Sequence, residues 1–121
     1  SFIGSPKMNL IKGTATAGGV NLTGFGTLPI SVATGDVTVG IRPEHLRIGE
    51  PDDVTIEGTI TLVEYLGSEL FVYVALADGQ TVLAQAPGHA KHTRGDKITL
   101  GLNGRDAHFF NADGARIEVP A

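Results

Sequence analysis

The chain has no cysteine and no tryptophan, and it has few basic residues. Without cysteine it forms no disulfide framework, no thiolate-ligated zinc site and no cysteine nucleophile. Nine lysines and arginines are scattered along the sequence and outnumbered by 13 acidic residues, which gives a formal net charge of -4. The excess of acidic residues and an aromatic content of only 6% argue against nucleic acid as a partner, because a basic groove and stacking aromatics are both lacking.

Long hydrophobic runs are also missing. No stretch approaches the roughly 20 apolar residues that a membrane-spanning helix needs, and the N-terminus has no signal-peptide pattern. With 121 residues, 41% of them hydrophobic, the sequence predicts one soluble domain with its own core, or at most two very small ones. It begins at Ser1 inside an apolar, turn-rich segment, and we interpret it as an excised piece or a processed product of a longer chain.

Glycine, by contrast, is abundant. The 17 glycines are spread along the chain, and each costs about 1 kcal/mol inside a helix, so long helices are disfavoured throughout. Short runs that alternate apolar and polar residues lie between turn signals and predict an all-β barrel or sandwich. The predicted strand regions are Leu10–Thr16, Val20–Leu28 around Thr23-Gly24, Val37–Ile41, Val54–Leu66, Leu70–Leu76, Thr81–Ala86, Lys97–Leu102 and Ala107–Phe110. At Gly18-Gly19 and Gly24–Gly26, hairpin turns are a better interpretation than phosphate-binding loops.

Two Asp-Gly pairs, Asp78-Gly79 and Asp113-Gly114, supply the positive φ angles that tight turns require, and each predicts a hairpin between antiparallel neighbours. Gly58 lies inside the longest predicted strand, where it predicts a bulge or a sharp bend. The remaining Gly- and Pro-rich stretches predict surface loops over residues 29–36, 47–53 and 87–96.

The sequence contains a weak internal echo. Val37–Pro43 and Ile98–Gly104 share an order of apolar residue, Thr, apolar residue, Gly and apolar residue, and charged residues and a histidine follow each segment. Two interlocked half-barrels, over about residues 9–53 and 54–119, would explain the echo, and so would chance.

Candidates for catalysis and metal binding are weak. None of the four lysines lies in a Gly-Lys-Ser/Thr context, so we expect no nucleotide hydrolysis by this chain alone. His89 and His92 form an H-x-x-H pair, but zinc needs three or four convergent ligands, and a solvated loop is the better interpretation. We expect no catalytic, cofactor-binding or metal-binding residue.

The most distinctive segment is Gly40–Leu46. Pro43 fixes its own φ angle and biases Arg42 toward extended backbone, so the strand should end there and present Arg42, Glu44 and His45 at a tight corner. One interpretation is an ion pair that holds the corner, between Arg42 and Glu44 or between Arg42 and an aspartate. The other is a polar contact surface.

Four motifs carry a resemblance that covers nearly the whole chain. The motifs are Phe2–Asn9, Gly40–Leu46, Glu57-Gly58 leading to Val63–Glu69, and Gly101-Leu102 with His108–Phe110 and Asp113-Gly114. In the order and spacing of these motifs, the sequence resembles the C-terminal regulatory region, of TOBE or OB type, of the ATP-binding subunits of maltose-type and glycerol-3-phosphate-type ABC importers.

The resemblance implies OB-fold-like β-barrels and a non-catalytic domain for regulation and dimerisation, spanning residues 1–121. A second copy of the subunit, the importer's permease subunits and a regulatory protein are the implied partners. ATP and magnesium are expected in a domain N-terminal to Ser1. The implied location is cytoplasmic, at the inner face of the bacterial plasma membrane. Residues carried over as interaction sites are Gly40, Arg42, Pro43, Glu44 and His45, with Gly67, Ser68 and Glu69 as a second edge.

An alternative function stays open at this point. Related accessory barrels hold a small oxyanion or a sugar, and backbone amides at glycine corners, with Arg42 or Arg105, could donate to such a ligand. An oligonucleotide-binding barrel ranks below both, because the chain is acidic and poor in aromatic residues.

Overall fold

The fold consists of two antiparallel sheets, which the computed structural model describes for residues 8–119. Residues 2–7 of the Phe2–Asn9 motif lie outside the described residues. The strands are β1 Asn9–Thr16, β2 Gly19–Leu22, β3 Gly26–Leu28, β4 Gly35–Ile41, β5 Arg47–Ile48, β6 Val54–Leu66, β7 Glu69–Leu76, β8 Thr81–Pro87, β9 Lys97–Leu102, β10 His108–Phe110 and β11 Arg116–Ile117.

The first sheet has six strands in the order β11-β10-β4-β1-β2-β3, and the second has five in the order β5-β9-β6-β7-β8. The chain exchanges strands between them at two corners, each built around a 3-10 turn. The first corner, residues 40–47, leads from β4 into β5, and the second corner, residues 101–108, leads from β9 into β10. Each corner therefore crosses from one sheet to the other.

The all-β prediction is confirmed, and several strand limits agree closely. The first and last residues of β6 and β9 are those predicted from the alternation of apolar and polar residues. Both Asp-Gly turns join antiparallel neighbours, β7 with β8 and β10 with β11. Both turn glycines have positive φ, 89° at Gly79 and 84° at Gly114. The two domain ranges of the half-barrel hypothesis stay a prediction.

The run Val20–Leu28 is two strands, and the hairpin turn predicted within it is confirmed, with positive φ angles of 83° at Gly24 and 132° at Gly26. Three details of the prediction were wrong. The two-residue strands β5 and β11 were not predicted, and β4 begins inside a predicted loop. The irregularity in β6 lies between Ile60 and Leu62 rather than at Gly58.

One hydrophobic core serves both sheets. Side chains that alternate inward along the strands meet in a single cluster, which is the arrangement that period-2 alternation produces when one face of each sheet is covered. Its largest fully buried members are Phe109, Ile11, Leu22, Leu28, Ile41, Leu46, Ile56, Ile60, Leu70, Leu100, Leu102 and Val20. In residues 8–119, no helix has the length and apolar character needed to cross a membrane.

Candidate functional site

The first corner begins where β4 ends. Arg42 has extended backbone, with φ -74° and ψ 149°, and Pro43 opens the 3-10 turn behind it. The amides of His45 and Leu46 donate to the carbonyls of Arg42 and Pro43 at 2.9 and 3.3 Å, which closes the turn. Because Pro43 and Leu46 are buried, the turn leaves Arg42 and Glu44 exposed and His45 half-buried.

The second corner has the same form but a different cap. The Asn103 side chain accepts from the Arg105 amide at 2.8 Å and from Arg105 Nε at 3.2 Å. Its own Nδ2 donates to Asp52 at 2.9 Å, and Asp53 accepts from the Gly104 amide at 2.9 Å. The Asp52-Asp53 pair therefore satisfies polar groups that the 3-10 turn leaves without partners.

The two corners occupy equivalent places in the fold. In the register between β5 and β9, Arg47 lies opposite Gly101, and in the register between β4 and β10, His108 lies opposite Gly40. Gly40 and Gly101 are the glycines of the two echoed segments. The weak repeat in the sequence thus corresponds to a repeated structure. After each corner the chain enters the other sheet, where it pairs with the strand that leads into the other corner.

An ion pair joins the corners. Arg47 Nη1 donates to Asp106 Oδ2 at 3.1 Å, with 37% and 25% of the two side chains exposed. A partly buried pair with hydrogen-bond geometry is stronger than an exposed one, because solvent screens it less. The ion pair that one interpretation placed at Arg42 is not found among residues 8–119, where the other pair joins Arg116 and Glu118 at 3.9 Å.

Basic groups gather beside the first corner. Arg116 Nη2 lies 2.7 Å from His108 Nδ1, which accepts the hydrogen bond when the imidazole is neutral. Burial, then the charges of Arg116, Arg42 and His45, lower the pKa of His108 from its ordinary value. Within the described residues, His45 Nδ1 is buried without a hydrogen-bond partner. This combination of basic side chains was not foreseen from the sequence.

The second predicted edge lies at the end of the β6–β7 hairpin. Gly67, with φ 65°, and Ser68 form its turn, and the Ser68 carbonyl accepts from the Gly88 amide at 2.9 Å. Glu69 accepts a hydrogen bond from Gln85 at 3.0 Å. Beside this turn, three large apolar side chains are exposed by 47%, 63% and 57%, and these are Leu62, Tyr65 and Leu66.

The structure groups some of the predicted site residues and separates others. Gly40, Arg42, Pro43, Glu44 and His45 share the first corner, whereas Gly67, Ser68 and Glu69 belong to the second sheet. Among the described residues no hydrogen bond or ion pair joins the two sets. Sequence reasoning missed Asn9, Arg47 and Asp106, whose partners are distant in the chain. It also missed Arg116, which contacts His108 on the neighbouring strand. The repeat could have pointed to Arg47, which holds the position in the first corner that His108 holds in the second.

Metal-binding geometry is not found in residues 8–119, where no three His, Asp or Glu side chains converge on one point. His89 is exposed and His92 half-buried in the loop that follows β8. A depression of about 830 Å³ lies over the second sheet and is open to solvent. Among the described residues, its charged side chains are Glu57 and Lys97, which have opposite sign, so it is not a basic pocket.

Family models agree with this geometry. The TOBE domain model matches residues 39–110, which run from the end of β4 to the end of β10. This chain belongs to the TOBE domain family. A second model, the MalK OB fold domain, matches residues 4–46. The two matches overlap only in residues 39–46, so the first corner of this TOBE domain contributes to both patterns.

Curated relatives extend over nearly the whole TOBE domain. The alpha-glucoside transport ATP-binding protein AglK of Rhizobium meliloti is 37% identical over 124 residues, which include 93% of this chain and 34% of the relative. The sn-glycerol-3-phosphate import ATP-binding protein UgpC of Paracoccus denitrificans is 38% identical over 121 residues, with 97% and 34% covered. The chain thus spans about one third of the length of these relatives.

A solved structure shares the fold. The cytoplasmic molybdate-binding protein ModG, with molybdate bound, superposes with a TM-score of 0.72 over 84% of this chain and 94% of that one. At 15% identity the likeness concerns the fold alone. Together with the MalK OB fold match, the two curled sheets confirm the OB-type fold that the sequence resemblance implied.

Proposed function

We propose that this chain is a non-catalytic domain for regulation and dimerisation in the ATP-binding subunit of a carbohydrate or glycerol-3-phosphate ABC importer. One observation carries the proposal: relatives named as transport ATP-binding proteins match 93% and 97% of this chain, yet the chain spans only about a third of their length. ATP and magnesium would bind in the other two thirds, outside this domain.

The proposed partners of this domain and its parent subunit are other subunits of the importer. The parent subunit sits at the cytoplasmic face of the membrane and contacts the permease subunits, while this domain contacts a second copy of itself. A regulatory protein is a further partner, with the first corner as its contact surface. Arg42 and Glu44 support this role, because the turn holds both side chains in solvent while Pro43 and Leu46 anchor the backbone in the core.

The β6–β7 hairpin is the proposed surface for the second copy. Its exposed apolar side chains lie beside a strand edge that has no partner strand within residues 8–119, since β6 pairs with β9 only as far as Thr59 while its pairing with β7 continues to Leu66. A free edge can pair with another strand, and a two-fold axis pairs an edge with its own copy in antiparallel register. Antiparallel self-pairing gathers Leu62, Tyr65 and Leu66 of both copies around the two-fold axis.

The mechanism of such a domain is allosteric. Contact between two copies holds two subunits together while their ATP-binding domains open and close, and it favours whichever arrangement the contact fits better. The effect is limited by the difference in contact free energy between the two arrangements, about 1–3 kcal/mol for typical coupling.

Truncation of the parent subunit tests the proposal. The intact subunit and a truncated one ending before Phe2 are compared for ATPase rate in the importer, for dimer lifetime and for response to regulatory proteins. We expect a shorter dimer lifetime and a changed ATPase rate after truncation. Equal values for both proteins would show that the domain has no regulatory role.

A further inference from the structure

The second corner contains the one Asn-Gly pair of the sequence, Asn103-Gly104. In such a pair the main-chain nitrogen of glycine can attack Cγ of the asparagine, because glycine has no Cβ to block the approach. A C–N bond forms in a succinimide ring, the bond to the side-chain nitrogen breaks, and ammonia leaves. The proton that the glycine nitrogen loses balances the one that the leaving nitrogen takes up. Water then opens the ring to aspartate or isoaspartate, which completes a deamidation.

The fold requires both residues of this reactive pair. A Cβ at position 104 would lie 2.7 Å from Ile30 Cγ1 and 3.0 Å from its Cδ1, so the packing of Ile30 excludes any larger residue. Asn103 caps the 3-10 turn by accepting from the Arg105 amide at 2.8 Å. The corner therefore keeps a chemically reactive pair for structural reasons.

Two carboxylates hold the reacting groups apart. The Gly104 amide donates to Asp53 Oδ2 at 2.9 Å, and the negative charge of Asp53 disfavours loss of the proton that this nitrogen must give up before it attacks. Asn103 Nδ2 donates to Asp52 Oδ1 at 2.9 Å, and this contact must break before Cγ can swing toward the Gly104 nitrogen. Gly104 is also buried, which keeps hydroxide away from its amide.

Arg105 acts in the opposite direction. Its amide and its Nε donate to Asn103 Oδ1 at 2.8 and 3.2 Å, and this oxygen is the one on which negative charge develops during the attack. Donors placed there polarise the side-chain carbonyl as an oxyanion hole does. The restraint on the reaction therefore comes from the two aspartates and not from the cap.

We propose that Asn103 is a deamidation site, which the Asp52-Asp53 pair holds unreactive in the folded domain and which reacts when the second corner opens. An aspartate at position 103 places a carboxylate where Nδ2 had donated to Asp52, so two like charges meet. Isoaspartate adds a methylene to the main chain at the cap of the turn. Either product destabilises the corner, and an opening that is followed by reaction becomes irreversible. This inference does not depend on the proposed regulatory role.

Incubation of the 121-residue chain at mildly alkaline pH, folded and in guanidinium chloride, tests the proposal. Mass spectrometry of the tryptic peptide 98–105 follows the conversion of Asn103. We expect deamidation to be slower in the folded chain by about tenfold or more, the factor that loss of one charge-assisted hydrogen bond corresponds to. Equal rates in the folded and unfolded chain would overturn the proposal.

Variants of the two aspartates test their role in the folded chain. Asp52→Ala and Asp53→Ala should each speed deamidation about tenfold. Asp53→Asn keeps an acceptor for the Gly104 amide and removes the charge, so it preserves the hydrogen bond that supports the fold and should still react faster. Asp36→Ala, at an exposed position of β4, should change the rate less than about twofold.

Gly58→Ala controls for reaction through global unfolding, because its added Cβ would collide with Val74 and destabilise the domain away from the corner. Urea unfolding gives the stability of each variant. We expect the aspartate variants to deamidate faster than Gly58→Ala at comparable stability. If Gly58→Ala reacted as fast, or if no aspartate variant reacted faster than the original chain, local restraint by Asp52 and Asp53 would be wrong.

Discussion

The side-chain amide of Asn9 pairs with the main chain of Leu83 as a neighbouring strand would. Asn9 Oδ1 accepts from the Leu83 amide at 2.8 Å, and Nδ2 donates to the Leu83 carbonyl at 2.9 Å. Nδ2 also donates to the Ile41 carbonyl at 3.1 Å. Since β8 is the outer strand of the second sheet, one side chain of β1 covers part of a sheet edge and ties both sheets together beside the first corner.

The first prediction concerns this bridge. Asn9→Ala removes three partly buried hydrogen bonds and leaves the Leu83 amide without its partner, so we expect a loss of about 2–4 kcal/mol in the free energy of unfolding. Urea unfolding of the original chain and of the variant measures this difference in free energy. Asn21→Ala is the matched control, because Asn21 makes an exposed hydrogen bond to Thr27, and it should cost less than about 1 kcal/mol. Equal effects of the two variants would contradict the bridging role of Asn9.

The second prediction concerns the Arg47–Asp106 ion pair. A double-mutant cycle with Arg47→Ala and Asp106→Ala should give a favourable coupling of about 0.5–1.5 kcal/mol, because the pair is partly buried and hydrogen-bonded at 3.1 Å. The same cycle on Arg116 and Glu118 should give a coupling close to zero, since their contact is longer and more exposed. If the two cycles gave the same coupling, burial would not be what distinguishes the pairs.

The third prediction concerns pH. The folded chain lowers the pKa of His108 below 6.5, so the unfolded chain binds this proton more strongly. The contribution of His108 to stability is therefore complete above about pH 6.5 and is lost as the pH falls toward the lower folded pKa. Arg116→Gln removes a neighbouring charge and should raise the pKa of His108, as read from its ring proton by NMR. Arg94→Gln should leave it unchanged, and an unchanged value in Arg116→Gln would show that the Arg116 charge does not act on this imidazole.

Local chemistry explains how much of this fold could be predicted. Alternation alone gives the limits of β6 and β9, and Pro43 gives the end of β4, because these features depend on neighbouring residues. The strands β5 and β11, with two residues each, have too little pattern of their own to be recognised. They exist because β9 and β10 supply hydrogen-bonding partners that lie far away in the sequence.

The candidate site, too, could be predicted from the sequence only where it depends on neighbouring residues. The backbone of the first corner follows from Arg42-Pro43, so the exposed residues there could be named from sequence. Arg47 and Asp106 are 59 residues apart, and their pairing depends on the exchange of strands between the sheets. The position of His108 beside the first corner likewise depends on the register that places it opposite Gly40, which composition and spacing do not reveal.

The fourth prediction concerns Gly58. A Cβ at this position would collide with Val74 Cγ1 and lie 2.9 Å from the Ala75 carbonyl, so glycine is needed here for the close approach of β7. Gly58→Ala should cost about 1–3 kcal/mol of stability in urea unfolding. Gly18→Ala is the control, because its nearest neighbour would be Thr16 Oγ1 at 3.8 Å, and its effect should stay within about 0.5 kcal/mol. A tolerated Gly58→Ala would show that β7 can shift away.

The fifth prediction concerns the β6–β7 hairpin as the contact with a second copy. Sedimentation of the chain over a concentration series should show a monomer–dimer equilibrium, and Leu62→Lys with Tyr65→Lys should raise the dimer Kd about tenfold or more. The reason is that these side chains are 47% and 63% exposed in one copy, and lysines there would place like charges together across a two-fold axis. Leu10→Lys, at another apolar side chain that is 59% exposed, serves as the control for a general loss of surface hydrophobicity. If Leu10→Lys weakened the dimer equally, or if the hairpin variant dimerised as tightly as the original chain, the hairpin would not be the contact surface.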